Sequence, residues 1–352
     1  MMDRDIKWMG VASTYIGTVI GAGFASGQEI LQFFGNYGTT GILGVIVSTL
    51  LFSGIGAIVL CRVYNGKYQS YQELIFPVLG RKLGFIIDFF MLLYLFMSFC
   101  IMLAGSGALF EQRLNISYDI GLAIMAVISV ITIMYSVKGI SMINTVLIPI
   151  LLAGMIIIGM TVTLKEGINI SYDIPIQPIK YSWILSSILY VSYNTLSVVV
   201  VLCSLLPIIN SRKTAIKGGI MGGVGLGIMS IFILLPILII YKDIRTLNLE
   251  IPMLKVSEYI GSSGGLVYSL ILWAAMLTTA VGNGFGLVSR VSDITKINFR
   301  ILIIILCIIT VPFAKMGFSN LVSTVYPLFG YVGAFFLLIF ILRSIYKKIV
   351  IS

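Results

Sequence analysis

The stretch Ile16-Gly17-Thr18-Val19-Ile20-Gly21-Ala22-Gly23-Phe24-Ala25-Ser26-Gly27-Gln28-Glu29 decides how this chain is read. It lies within an apolar run over 8–37, yet it carries glycines at 17, 21, 23 and 27, then an amide and an acid. Glycine costs a helix interior about 1 kcal/mol per position and opens dihedrals that other residues avoid. Two readings follow. The helix breaks here, and bare carbonyls and amides line a cavity, the setting in which lipid tolerates irregular backbone. Alternatively, the pairs Gly17/Gly21 and Gly23/Gly27 pack a helix closely against a neighbour. Gln28 and Glu29 favour a site, because a packing face has no need of an acid. An intramembrane carboxyl costs about 2.5–3.5 kcal/mol on insertion scales and marks function by default.

The rest of the chain supplies the membrane. Of 352 residues, 59% are hydrophobic and 10% charged, and the mean hydropathy is +1.09. A soluble domain carries about a quarter charged residues, so this chain cannot clothe a water-facing surface. Disorder needs the opposite bias. Ten apolar runs stand out, at roughly 8–37, 40–62, 83–110, 119–137, 140–164, 182–209, 216–241, 264–289, 299–315 and 318–343. They are continuously apolar rather than alternating, which predicts helices, not a barrel. With the N-terminus inside, 16 of the 23 Lys and Arg fall on the inner side. This is the positive-inside bias of an even number of spans with both termini cytoplasmic. The net charge of +10 is therefore an orientation signal; the partner is the lipid bilayer and not nucleic acid, and the Ile- and Lys-rich composition points to a bacterial cell membrane.

Histidine is absent, which removes triads, haem ligation and histidine proton relays. Cys61, Cys100, Cys203 and Cys307 lie in or beside apolar runs with no CxxC spacing and read as buried apolar groups. No nucleophile–base pair is visible, so no enzyme is expected.

Counting gives five runs in each half, which places the halves in opposite orientations. The segments are 1–164, a connector at 165–181 on the outer side, 182–343, and a cytoplasmic tail at 344–352. Interrupted spans one and six at corresponding positions are the mark of an inverted-repeat transporter. Span six lacks Gly and Pro but holds a polar run of Ser192, Tyr193, Asn194, Thr195 and Ser197. Span eight sets Ala275 before Thr278 and Thr279, a source of hard oxygen ligands; back-bonding of the hydroxyls to the i−4 carbonyl is the other reading. The glycines of span seven read as close packing. Asp88 lies two turns from Arg81 and Lys82 and reads as paired with them near the interface. The segment 242–263 is either a short helix over the outer mouth or a solvated loop.

The segment Gly17–Gly23, continued as GAGFASGQE, resembles the first helix of the amino acid–polyamine–organocation superfamily, and GAGFASGQEI resembles the YkvI-like group of bacterial permeases. The resemblance implies an all-α polytopic membrane protein of about ten transmembrane helices, a LeuT-like 5+5 inverted repeat with broken helices one and six. It implies Na⁺ as coupling ion, held by the carbonyls of Gly17, Ile20 and Ala275 and the hydroxyls of Thr278 and Thr279. H⁺ is the other option, although the lysine that proton-coupled relatives carry in span five is absent. A substrate carboxylate would sit on the amides of Gly21, Ala22 and Gly23, supported by Tyr94, with Ser192, Tyr193 and Asn194 nearby. Phe24 stands where a second sodium site has Asn, which argues against a second ion. Glu29, toward the outer side, would be a gate or the partner of a substrate amine. The expected function is Na⁺-coupled symport of a small amino acid or related amine-containing solute by alternating access. The alternative is a membrane ligand sensor of the same fold, like a spore germinant-receptor subunit, without net transport.

Overall fold

The structure is a computed structural model that describes residues 2–68, 73–74, 80–135, 138–168, 170 and 181–351. Its described residues are mostly helical and contain no strand. Span one is three pieces, α1 (Met2–Val19), α2 (Ala22–Ala25) and α3 (Gln28–Phe33). Spans two to five are α4 (Thr40–Gly66), α5 (Arg81–Leu114), α6 (Tyr118–Tyr135) and α7 (Lys138–Glu166). Spans six and seven are α8 (Trp183–Ser204) and α9 (Arg212–Ile239). Two short helices, α10 (Tyr241–Thr246) and α11 (Pro252–Ser257), lead to α12 (Ser262–Thr295), α13 (Phe299–Ala314) and α14 (Phe318–Ile351). Among the described residues eight helices are long and apolar enough to cross a membrane, and α13 is a shorter apolar one; numbered by the ten apolar runs of the sequence, an even count brings both termini to one end, called here the terminal side. The connector expected at 165–181 falls largely outside the described residues. The tail expected from 344 continues α14 as helix to Ile351.

The helices form two groups. One is α1, α4, α8 and α9; the other is α5, α6, α12 and α13. α7 bridges them through α9 and α12, and α14 through α8 and α5. Pairings recur at an offset of five spans: α1 on α9 answers α8 on α4, and α5 on α6 answers α12 on α13. This is the signature of the five-plus-five fold.

Lipid tails offer helices no hydrophobic drive to associate, so close backbone packing holds the first group. The glycines of α9 supply it. A Cβ at Gly219 would strike the backbone at Ala57, one at Gly223 the backbone at Ser53, and one at Gly222 the ring of Tyr15. Tyr15 is wholly buried, and its hydroxyl donates to the Phe52 carbonyl at 2.9 Å.

Span six departs from expectation. α8 is one uninterrupted helix over Trp183–Ser204. Its polar residues bond inward along their own helix: Asn194 Nδ2 donates to Tyr190 O at 3.0 Å, Thr195 Oγ1 to Val191 O at 2.7 Å, and Ser197 Oγ to Asn194 O at 2.9 Å. Without Gly or Pro to release the backbone, back-bonding side chains decorate the helix rather than open it.

The segment 242–263 resolves in favour of helix. Ile251 and Leu254 of its apolar stripe are buried, while Leu247 stays exposed. Several bonds tie it to the body, among them Lys165 Nζ to Tyr259 O at 2.8 Å and Arg113 Nη2 to Ser262 O at 3.0 Å. Gln112 of α5 makes a two-way bond with Ile251, donating to its carbonyl at 3.0 Å and accepting from its amide at 3.1 Å. Met253 N donates to Ser26 O at 3.0 Å. Glu250 Oε2 accepts from Phe318 N at 2.8 Å, capping the start of α14. Burial raises the Glu250 carboxyl above the ordinary glutamate range, against the opposing pull of the amides of Phe318 and Ser319.

A Gly223→Val substitution forces α9 away from α4. It is expected to destabilise the protein by about 1–3 kcal/mol, the usual cost of overpacking, read as a lower melting temperature in detergent. Gly10→Ala, inside α1 where a Cβ meets nothing within 4 Å, is expected to leave the melting temperature unchanged or raise it slightly, by the up to about 1 kcal/mol that glycine costs a helix.

Candidate functional site: a cavity at the break in span one

Span one stops coiling twice. The Gly21 amide turns to the Val19 carbonyl at 3.0 Å instead of reaching Gly17. Gly17, Thr18 and Ile20 keep carbonyls that no backbone amide of the described residues takes up. One turn of helix follows, and the chain breaks again at Gly27, whose φ is +80°. Only glycine fits there: the backbone is left-handed, and a Cβ would come within 2.8 Å of Met253 Cγ. Neighbours replace the lost helix bonds. Ser26 Oγ donates to Gly23 O at 2.6 Å and accepts from Gln28 N at 3.2 Å. Tyr268 Oη of α12 donates to Ala25 O at 2.7 Å.

Glu29 begins beyond the second break, but its side chain turns back across the gap. Its Oε1 lies where a side chain at Gly23 would be. Tyr193 Oη of α8 donates to its Oε2. The Tyr193 ring stacks on Tyr326 of α14, with centroids 4.7 Å apart and planes 9° apart, and on Phe33 at 5.5 Å. Glu29 is 5% exposed, and among the described residues no Lys or Arg forms an ion pair with it.

These groups end a cavity of about 600 Å³. Its deep end is formed by Gly21, Ala22, Gly23, Glu29, Tyr193 and Tyr326. From there the wall runs toward the terminal side, along α8 through Ser197 to Val201 and along α12 from Thr279 to Arg290. Ser98 and Asn283 face each other midway, with Nδ2 donating to Oγ at 2.7 Å. At the mouth Arg290 Nη2 donates to Asp88 Oδ2 at 2.8 Å. The chain order therefore fixes one opening, on the terminal side. Toward the far side the path ends in packed rings of Phe33, Phe34, Tyr190 and Tyr193 beneath the 242–261 segment.

The cavity gathers most of the residues expected to meet a substrate. Gly21, Ala22, Gly23, Tyr94, Tyr193 and Asn194 line it, as does Glu29. Ser192 does not; it lies against Gly333 of α14. The five groups expected to hold Na⁺ are divided between two elements. Thr279 faces the cavity. The Thr278 and Thr279 hydroxyls both donate to Ala275 O, at 3.0 and 2.9 Å. Gly17, on α1, meets Ile148 of α7, 3.4 Å from where its Cβ would be. Ile20 is buried, and α1 packs mainly on α9 and α8.

Two expectations take a definite form. Glu29 turns back to the deep end of the cavity, the end away from the terminal side, where Gly23 leaves it room. Asp88 pairs across to Arg290 of α12, a partner 202 positions away that helix spacing on α5 could not reveal; the Arg81 side chain lies outside the described residues. The sequence reading also missed Tyr326, Ser98 and Asn283. Asn283 carried a signal, as an amide in an otherwise apolar span. Tyr326 carried none, since a tyrosine beside a proline in an apolar run has no distinguishing pattern.

No protein-family model matches the chain. Two curated relatives come from Bacillus subtilis (strain 168). The uncharacterized membrane protein YkvI is 34% identical over 335 residues, 93% of each chain. The uncharacterized protein YyaD is 29% identical over 343 residues, covering 97% of this chain and 98% of its own. Among solved structures, the inward facing conformation of Mhp1 matches with a TM-score of 0.62 at 13% identity, over 92% of this chain and 72% of that one. Mhp1 is a LeuT-fold transporter, and the likeness shows that fold. The identity and coverage to YkvI place this chain, a polytopic all-α membrane protein, in the YkvI family.

Proposed function

We propose that the chain is a secondary active transporter that moves a small amine-containing solute, an amino acid or a relative of one, across a bacterial plasma membrane by alternating access. The observation that carries this reading is the cavity: it reaches mid-membrane, opens to one side only, and ends on unwound backbone beside a buried acid. A channel needs a path to both sides. An enzyme needs a nucleophile or metal cluster, and the described residues hold no group of metal-ligating side chains. The excess of Lys and Arg on the terminal side supports a cytoplasmic location for both termini, which makes this the inward-open arrangement.

Coupling to Na⁺ fits the donor groups. Carbonyls freed at Gly17 and Ile20 and hydroxyls at Thr278 and Thr279 are hard oxygen ligands. They stand on α1 and α12, which belong to different helix groups. An ion that needs both would draw the groups together and close the terminal mouth, so its binding would favour the opposite arrangement. Each charge moved inward gains about 2.3 kcal/mol per 100 mV of membrane potential.

The central test is counterflow in proteoliposomes, screened across the natural amino acids and their decarboxylated amines with Na⁺ or K⁺ present. Exchange of at least one solute, faster with Na⁺, is expected. Binding without exchange returns the sensor reading. For the ion, Na⁺ is expected to raise the melting temperature over K⁺ in the wild type, by an amount that grows as RT ln(1 + [Na⁺]/Kd). Thr278→Val/Thr279→Val is expected to remove the rise; an equal rise in the variant rejects these ligands. For the opening, Ser197→Cys in a background without the four native cysteines is expected to react with a charged maleimide at least about tenfold faster from the terminal side than from the far side. Equal rates contradict a one-sided cavity.

A further inference from the structure

The amides of Gly21, Ala22 and Gly23 are where an amino-acid substrate was expected to rest its carboxylate. The chain has put a carboxylate of its own beside that segment, in the space a side chain at Gly23 would fill. Glu29 Oε1 lies over Gly23, where a Cβ would collide with it and come within 3.2 Å of Tyr326 Oη. Tyr193 Oη donates to Glu29 Oε2, which fixes the group at the blind end of the cavity. A second carboxylate brought to those amides meets a like charge close by in a medium of low dielectric, an arrangement in which two carboxylates do not both stay ionised. A cation meets the reverse. It finds a buried acid with no protein cation paired to it among the described residues. Tyr193 and Tyr326, stacked 4.7 Å apart, and Tyr94, whose ring meets Phe329, border the same space. Tyr193 is covered by Phe33 and Tyr326, so Tyr94 and Tyr326 are the rings whose faces an ammonium group could meet.

We propose that the solute of this cavity is a small organic monocation, an amine without a carboxylate, and that Glu29 supplies the negative charge an amino acid would have brought with it. This rests on the transporter reading above and narrows its substrate class. The cavity, about 600 Å³, is of the size that encloses a small molecule. Its mouth carries a paired Asp88 and Arg290, so the charge that selects among solutes is the one at the deep end.

The test compares matched pairs on the purified full chain: leucine with 3-methylbutylamine, phenylalanine with 2-phenylethylamine, serine with ethanolamine, and tetramethylammonium alone. Thermal stabilisation is titrated in wild type, Glu29→Gln and Glu29→Asp. The expected result is that an amine stabilises the wild type at a concentration at least tenfold below that of its parent amino acid. Glu29→Gln abolishes this preference and Glu29→Asp retains it in weakened form. An amino acid that outperforms its amine overturns the proposal, as does a preference that survives Glu29→Gln, or a panel in which no cation stabilises the protein. If Glu29→Gln does not fold, the wild-type ratio and Glu29→Asp decide. Counterflow separates the two levels: exchange of amino acids but not amines sinks this inference and keeps transport, whereas amine binding without exchange keeps the inference and sinks transport.

Discussion

In hydrocarbon every backbone amide and carbonyl must find a partner, and the rest of this structure is arranged around one segment where the helix declines to supply them. Between Ile20 and Gly27 the chain leaves regular coiling twice. The second break is fully bonded from outside, by Ser26, by Tyr268 from α12 and by Met253 from the segment beyond span seven. The first break is not: the carbonyls of Gly17, Thr18 and Ile20 are taken up by no backbone amide of the described residues. That difference separates a structural joint from a binding surface within a few residues. It also explains why the 242–261 segment is folded down onto the bundle, since its amide completes the joint.

The acid follows from the same geometry. Glu29, just past the second break, reaches back to the first because Gly23 leaves a vacancy. Its phenol partner comes from α8, whose unbroken helix makes Tyr193 a rigid post. The two halves of the molecule are alike in how their helices pair, yet they share the work unequally. Span one supplies bare backbone and a charge, while span six supplies aromatic walls and a hydroxyl. Glycine is the cause in the first and its absence the cause in the second.

Much of this was legible in the sequence. The all-helical membrane fold, the split of span one, and the close packing of α9 all follow from residue type and spacing, because glycine and apolar length act locally. The unbroken span six was not legible. A polar run of Ser192, Tyr193 and Asn194 looks the same whether its side chains bond back to their own helix or serve an open backbone. The Asp88–Arg290 pair and the placing of Tyr326 beside Glu29 were hidden for another reason. They join residues some 200 and 300 positions apart, and nothing in a single sequence records which helices become neighbours. The direction of the Glu29 side chain depended on a missing Cβ at Gly23, a feature visible in the sequence but meaningful only once the chain is folded back.

The most direct measurement is a side-chain-resolution electron cryomicroscopy map of the protein in lipid nanodiscs. The account predicts density that leaves helical coiling at Ile20–Gly21 and again at Gly27, with the Glu29 carboxyl resting over Gly23 beneath the Tyr193 hydroxyl. A single continuous helix from Ile16 to Phe33, with Glu29 turned away from the cavity, would contradict it.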